Sequence, residues 1–381
     1  MKINIEKLED IAKVIAGQSP ISSYYNDTGE GYPFLQGKTD FGKLYPNAKT
    51  WCTKPKKIAK SKDILLSVRA PVGAVNIANT DLCIGRGICA IRANDKCHHK
   101  YLYYYLKTHE RQIQRFQTGS TFKSITVAKI KQLKIPLPKT LDEQIKIANL
   151  LTQVEALIAK REESIRLLDE LLRSSFLDMF GDPVLNDKGW KKERIEKNIN
   201  TSSGGTPSRR KFEYYNGDIP WIKSGELNQG VIYSTKESIS KKGLENSSAK
   251  RVEPNTVLLA MYGATVGVSA ITKIHATTNQ AVCALVPKDK NQINSIFLLN
   301  QLKFLKKYLI SKGIGGGQPN ISQTIIKKTE IIFPKKTLQD KFATIVHRIE
   351  ETKVQYQKSL DELRELFGSL SQRAFRGELG L

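Results

Sequence analysis

The side chains that could move a proton, hold a metal or attack a substrate are few in this chain, and their spacing suits none of these tasks. The five histidines are His98, His99, His109, His275 and His347, and no two sit at an acid–base or metal-motif spacing. Cys83, Cys89 and the run Cys97-His98-His99 invite a zinc reading, since thiolate and imidazole are zinc's usual donors. Their spacings of six and eight residues fit no standard zinc module. A phosphate-cradling loop needs Gly-x-x-x-x-Gly-Lys-Ser/Thr; the run Gly315-Gly316-Gly317 has no Lys-Ser or Lys-Thr behind it. No dinucleotide fingerprint, HExxH, GxSxG or kinase signature occurs, nor the Asn-Pro-Pro-Tyr that an adenine amino-methyltransferase would use. The sequence speaks against a catalytic centre of its own.

Charge is the stronger signal. The 381 residues hold 61 Lys and Arg against 37 Asp and Glu, a formal net charge of +24. Such an excess draws polyanions over long range and says nothing of fold. It is unevenly placed. Residues 140–180 carry eight acidic and five basic side chains, and residues 337–379 carry seven of each, so these stretches total −3 and the rest of the chain holds +27. The five cysteines are odd in number and lack CxxC spacing; Cys89 in ICAI and Cys283 in VCAL read as small buried strand residues. A reducing cytoplasm is the expected home. The N-terminus MKINIEKLED has no apolar signal core, and the most apolar run, Thr256 to Ile271, is too short to span a bilayer.

The elements that must position any polar loops follow from periodicity. Thr140-x-x-Glu143 reads as a capping box opening a helix that stops at Gly181-Asp182-Pro183. Val154, Ile158, Arg161, Ile165, Leu168, Leu172, Ser175 and Met179 alternate steps of four and three, the pattern of a seam for a partner helix. Ile349, Lys353, Tyr356, Leu360, Leu363, Phe367, Leu370 and Ala374 repeat that set 195 residues later, with Thr337-x-x-Asp340 as a second capping box and Gly377 as a second stop. Two helices of about 40 residues, about 60 Å each, with matching apolar seams predict an antiparallel coiled-coil pair. Two ordinary amphipathic helices on separate domains are the plainer alternative.

The intervening stretches repeat too. Gly17-Gln18-Ser19-Pro20 answers Gly204-Gly205-Thr206-Pro207-Ser208, and the Tyr32 strand answers Ile219-Pro-Trp-Ile-Lys-Ser-Gly-Glu226. Asp63-Ile-Leu-Leu-Ser67 answers Thr256-Val-Leu-Leu-Ala260, Cys89 answers Cys283, and the loop before Ile125 answers Gly315 to Ile321. From the Asp63 pair onward the offset drifts only between 193 and 197. The expected architecture is α+β: two similar mixed α/β domains separated by the two long helices, a pseudo-twofold internal repeat. Its boundaries are 1–139 for the first domain, 140–181 for the central helix, 182–336 for the second domain and 337–381 for the C-terminal helix. Its seam is Val154, Ile158, Ile165, Leu168 and Leu172 against Ile349, Tyr356, Leu360, Leu363 and Phe367. Tyr103, Tyr104 and Tyr105 read as helix packing.

At this point the layout resembles the specificity subunit of type I restriction–modification enzymes. The resemblance rests on Ile219-Pro-Trp-Ile-Lys-Ser-Gly-Glu-Leu227, Pro138-x-x-Leu-Asp-Glu-Gln144, Phe176-Leu-Asp-Met-Phe-Gly-Asp182 and Gln372-Arg-Ala-Phe-Arg-Gly-Glu-Leu379. The first copy departs from the pattern, since Tyr32-Pro-Phe-Leu-Gln-Gly-Lys-Thr lacks the Trp. The resemblance implies two target-recognition domains, each reading half of a split double-stranded DNA site. It implies two methyltransferase subunits docked on the helices and restriction/translocase subunits joining them. S-adenosylmethionine, ATP and magnesium would belong to those partners, and no cofactor to this chain.

Base reading needs polar side chains aimed at the major groove: Arg or Lys for guanine, Asn or Gln for adenine. The glycine-flanked loops offer Lys38, Thr39, Arg69, Arg86, Lys123 and Ser124 in the first domain. In the second they offer Lys223, Ser224, Tyr262, Asn279, Gln280, Gln318 and Asn320. Two rivals stay open here: a basic coiled-coil scaffold binding nucleic acid without sequence preference, and a degenerate DNA methyltransferase.

Overall fold

The computed structural model describes residues 2–119, 123–313 and 320–379. The chain folds as two compact units, Met1–Glu163 with Gln357–Leu381, and Ser164–Tyr356. Each holds one α/β body and a stretch of both long helices.

In the first unit a four-stranded antiparallel sheet runs in the order Ala12–Ala16, Ile88–Ala93, Ile64–Ser67, Val75–Ile77. A second sheet runs Tyr25–Asn26, Thr50–Cys52, Tyr32–Leu35, Leu82–Ile84, Ile58–Ala59, and Tyr32–Leu35 lies parallel to Leu82–Ile84. The second unit repeats the scheme. Ile199–Ser203, Val282–Pro287, Val257–Ala260 and Ser269–Thr272 are neighbours in that order, with Val231–Ile232 added at the edge. Tyr215–Ile222 lies parallel to Ala276–Thr278. In both units a two-stranded ribbon, Ile3–Lys7 with Lys134–Pro138 or Lys192–Arg194 with Glu330–Ile332, leads into a long helix.

The central strands read as unbroken apolar runs because both their faces are covered. Ile64 and Leu66 enter one core while Leu65 enters another. Val257 and Leu259 likewise part from Leu258 and Ala260. Side chains alternate faces along a strand, so each run feeds two cores. Cys89 and Cys283 lie buried in these sheets as small strand residues. Burial pushes both thiols up to about 12, so they are neutral at physiological pH.

The long helices span Leu141–Phe180 and Lys336–Arg376. The capping box forms as read: the Glu143 amide donates to Thr140 Oγ1 at 3.2 Å and the Thr140 amide to the Glu143 carboxylate at 3.4 Å. Gly181 and Gly377 end the helices with φ of 72° and 78°, left-handed backbone that suits glycine. The second capping box does not form. That helix already begins at Lys336, and the Asp340 carboxylate is taken by Lys336 Nζ and Asn294 Nδ2, each at 2.7 Å. An asparagine of the α/β body reaching the first turn outcompetes the backbone for this acid.

Every seam residue named above is buried or half-buried. In the second unit Lys353 Nζ meets Asp169 at 2.7 Å while Phe342 packs on Phe176 and Phe180. In the first, Arg364 meets Glu162 at 2.9 Å while Ala374 and Phe375 share a core with Ile147, Ala148 and Leu151. Within each unit the two helix segments therefore run in opposite directions.

Each α/β body is locked to its helix by a buried glutamine. Gln144 Nε2 donates to the carbonyls of Lys96 and Pro138, and its Oε1 accepts from the His98 amide. Gln339 Nε2 donates to the carbonyls of Gln292 and Pro334, and its Oε1 accepts from the Asn294 amide. The partners of one lie 196 residues from those of the other, so the duplication extends to individual hydrogen bonds. Tyr103 and Tyr104 are buried against the same helix, and the Tyr104 hydroxyl bonds Thr152 and Glu155 at 3.0 Å. Among the described residues no helix is long and apolar enough to cross a membrane.

Candidate nucleic-acid interface

The loops that carry the candidate residues converge, and they do so through the same backbone bonds in both units. In the first, the amides of Gly17 and Gln18 donate to the carbonyls of Ile88 and Ile84. In the second, the amides of Gly204 and Gly205 donate to those of Val282 and Thr278. A Cβ on Gly17 would sit 2.2 Å from the Gly85 carbonyl oxygen, and one on Gly204 would sit 1.9 Å from that of Thr278. Only glycine lets this loop lie so close to the sheet.

The other strands of the junction match too. Gly85 N donates to Leu35 O as Asn279 N does to Ile222 O; Val68 N donates to Gly87 O as Met261 N does to Ala281 O. Ile125 N donates to Val68 O as Ile321 N does to Met261 O. These bonds draw Arg69, Arg86, Lys123 and Ser124 into one cluster, with an isolated bridge between Arg69 and Ser124 and a bond from Ala70 N to Lys123 O. Lys38 and Thr39 join through a short turn that the Asp40 carboxylate caps by accepting from the Gln36 amide at 2.7 Å. Lys38, Thr39, Arg69, Arg86 and Lys123 are exposed, and Ser124 is half-buried. Among the described residues no side-chain hydrogen bond or ion pair occupies the four cations.

The second cluster has different chemistry on the same frame. Tyr262 donates its hydroxyl to the Gln280 carbonyl at 2.8 Å, Gln280 Oε1 accepts from Thr206 Oγ1, and Asn279 Oδ1 accepts from the Ala281 amide. Lys223 precedes a turn that Ser224 opens, and its amide donates to the Glu226 carboxylate at 2.8 Å. Its ammonium pairs with Glu237, which also takes Arg209 Nη2 at 2.9 Å. The hydrogen bond from Lys223, then that from Arg209, holds the Glu237 carboxyl below the usual carboxylate range. Asn320 is exposed beside Ile321. Gln318 and the Gly315–Gly317 run lie outside the described residues.

The sequence reading missed Ser19, Thr206, Arg209 and Glu237. Ser19 Oγ accepts from the Arg86 amide, and Thr206 closes on Gln280. The basic run Ser208-Arg209-Arg210-Lys211 behind the second glycine turn was a usable signal for Arg209; a lone Glu237 gave none. The cysteine–histidine run is divided among packing roles instead. Cys97 lies in the core with Tyr101 and Leu102, and Cys83 lies in a separate cluster with Phe34 and Cys52.

Residues 2–167 and 187–364 match the family described as type I restriction modification DNA specificity domain. The putative type I restriction enzyme MjaX specificity subunit of Methanocaldococcus jannaschii is 48% identical over 157 residues, 41% of this chain and 37% of that relative. The MjaIX specificity subunit of the same organism is 25% identical over 406 aligned residues, 99% of this chain and 93% of that one. The crystal structure of the type I restriction–modification S subunit from M. genitalium superposes with a TM-score of 0.63 at 18% identity, covering 98% of this chain and 96% of that one, which shows a shared fold. With its doubled α/β body, its paired helices and family matches in both halves, this chain belongs to the type I restriction–modification DNA specificity family, the non-catalytic recognition subunits of those systems.

Proposed function

We propose that each α/β body reads one half of a bipartite, asymmetric double-stranded DNA site, and that the long helices dock two methyltransferase subunits to which restriction/translocase subunits can join. The observation that carries this reading is the pair of loop clusters: one backbone frame, two unlike sets of polar side chains. Frames hold shape and loops hold specificity. S-adenosylmethionine, ATP and magnesium belong to the partner subunits in this reading, and the prokaryotic cytoplasm is where the complex works. Leu157, Leu167, Leu171, Val354 and Leu366 stay exposed on the long helices, which favours docking of partners there.

Mapping methylated positions across randomised duplexes, with this chain and its methyltransferase present, tests the proposal. The expected site has about three to five specified pairs at each end and an unread gap, as two modules on one duplex require. A continuous recognition sequence contradicts it. In the same assay Arg69→Ala is expected to relax one position of one half-site by about 10- to 100-fold and to leave the other half untouched. Equal weakening of both halves would make Arg69 a phosphate contact. Because cations with no side-chain partner among the described residues crowd the first cluster, affinity should fall by about 10³-fold or more between 50 and 200 mM salt if six or more phosphates are neutralised. A filter-binding salt series checks this.

A further inference from the structure

In the second cluster one cation differs from all the others. Arg209 lies with its guanidinium 4.5 Å from the ring centre of Tyr215 and 5.2 Å from that of Trp221. One amino group is fixed by Glu237 at 2.9 Å. The two aromatic residues are themselves tied to the loop that bears Arg209: Trp221 Nε1 donates to the Gly205 carbonyl at 3.1 Å, and the Tyr215 hydroxyl donates to that of Pro207. Yet the Arg209 side chain is 55% exposed. It is held on one edge and open on the rest.

We infer that Arg209 reads a guanine in the second half-site, donating two parallel hydrogen bonds to its O6 and N7, with Glu237, Tyr215 and Trp221 as positioning residues. This rests on the proposed reading of split DNA sites and names one base within it. Three arguments support it. A planar fork matches the guanine edge only in a fixed orientation, and stacking plus a carboxylate fixes orientation before DNA arrives. The adjacent Glu237 would repel a phosphate but is tolerated beside a base edge, which carries no net charge. And the arginine belongs to the loop that the glycine pair lays against the sheet, beside Gln280 and Lys223, so it stands among the other candidate base contacts. Lys223, by contrast, is a flexible point charge that Glu237 already engages.

The test uses the full chain with its methyltransferase subunits and duplexes randomised over the second half-site. The wild type is expected to demand guanine at one position, and Arg209→Lys to lose about 10- to 100-fold of that preference while neighbouring positions keep theirs. Replacing that guanine by 7-deazaguanine, which lacks the N7 acceptor, should weaken the wild type and cost Arg209→Lys less, because a lysine point charge can hold the edge through O6 alone. The wild-type half of this comparison leaves the protein unaltered, so it stands even where Arg209→Lys loosens the loop. Glu237→Gln is expected to bind unrelated DNA more tightly and to discriminate guanine less. An undiminished guanine preference in Arg209→Lys, or uniform weakening over all sequences, overturns the inference. A wild type without any sequence preference overturns the proposed function itself, and the two failures are distinct.

Discussion

Phe176→Ala is expected to destabilise the second unit by about 3–5 kcal/mol, the usual cost of emptying a buried phenylalanine site. Phe176 is 1% exposed. Its ring centre lies 5.0 Å from that of Phe180, 4.6 Å from Phe304, 5.9 Å from Phe297 and 5.4 Å from Phe342. Phe297 and Phe304 belong to the α/β body's own helix, Ser295–Ser311, while the others come from the two long helices. One side chain therefore joins three helices, and the neighbouring rings are too rigid to collapse into the space. Denaturant unfolding followed through tryptophan emission reads the effect, because Trp190 and Trp221 lie in this unit and Trp51 in the other. A loss under about 1 kcal/mol would mean that the aromatic cluster does not hold the unit together.

The second large effect is expected at the buried glutamines. Gln339 is 1% exposed and satisfies two carbonyls and one amide. Gln339→Ala takes this partner from the buried Pro334 carbonyl and from two partly buried groups, the Gln292 carbonyl and the Asn294 amide; the buried one costs about 1–3 kcal/mol and the other two less, for a total of about 2–4 kcal/mol with incomplete additivity. Gln339→Glu should be worse at pH 8, because a carboxylate would face the Gln292 and Pro334 oxygens in place of an amide. Burial and those oxygens raise the folded-state pKa of the new acid above its unfolded value. Stability is then greatest below the unfolded pKa, about 4.3, and is lost as pH rises through the folded value. Unfolding midpoints compared at pH 8 and pH 5 check the sign: Gln339→Glu should recover on acidification and Gln339→Ala should not. Gln144→Ala is the matched control in the first unit, and an effect confined to one copy would show that the two locks are not equivalent.

The helices were legible in the sequence because their signals are local. A seven-residue apolar repeat, a Thr-x-x-Glu box and a left-handed glycine each act within a turn or two. The exception is instructive: Thr337-x-x-Asp340 offers the same arrangement with Asp in place of Glu, yet Asn294, 46 residues away, takes the acid. Local codes fail where a distant partner arrives. Glycine and polar content mark each candidate loop singly, and composition offers no means of ranking Lys223 against Arg209. That ranking depends on Glu237, Tyr215 and Trp221, which reach the same place only after the sheets form.

The sequence by itself determined the doubled plan, the limits of the central helix, the stop of the second at Gly377 and the concentration of positive charge outside the long helices, because periodicity, caps and charge are properties of neighbouring residues. The tertiary structure decided which loops meet, which glutamines seal the bodies to their helices and which arginine is held still. Those outcomes hang on hydrogen bonds and ion pairs between residues far apart in the chain, whose geometry exists only once both ends are in place.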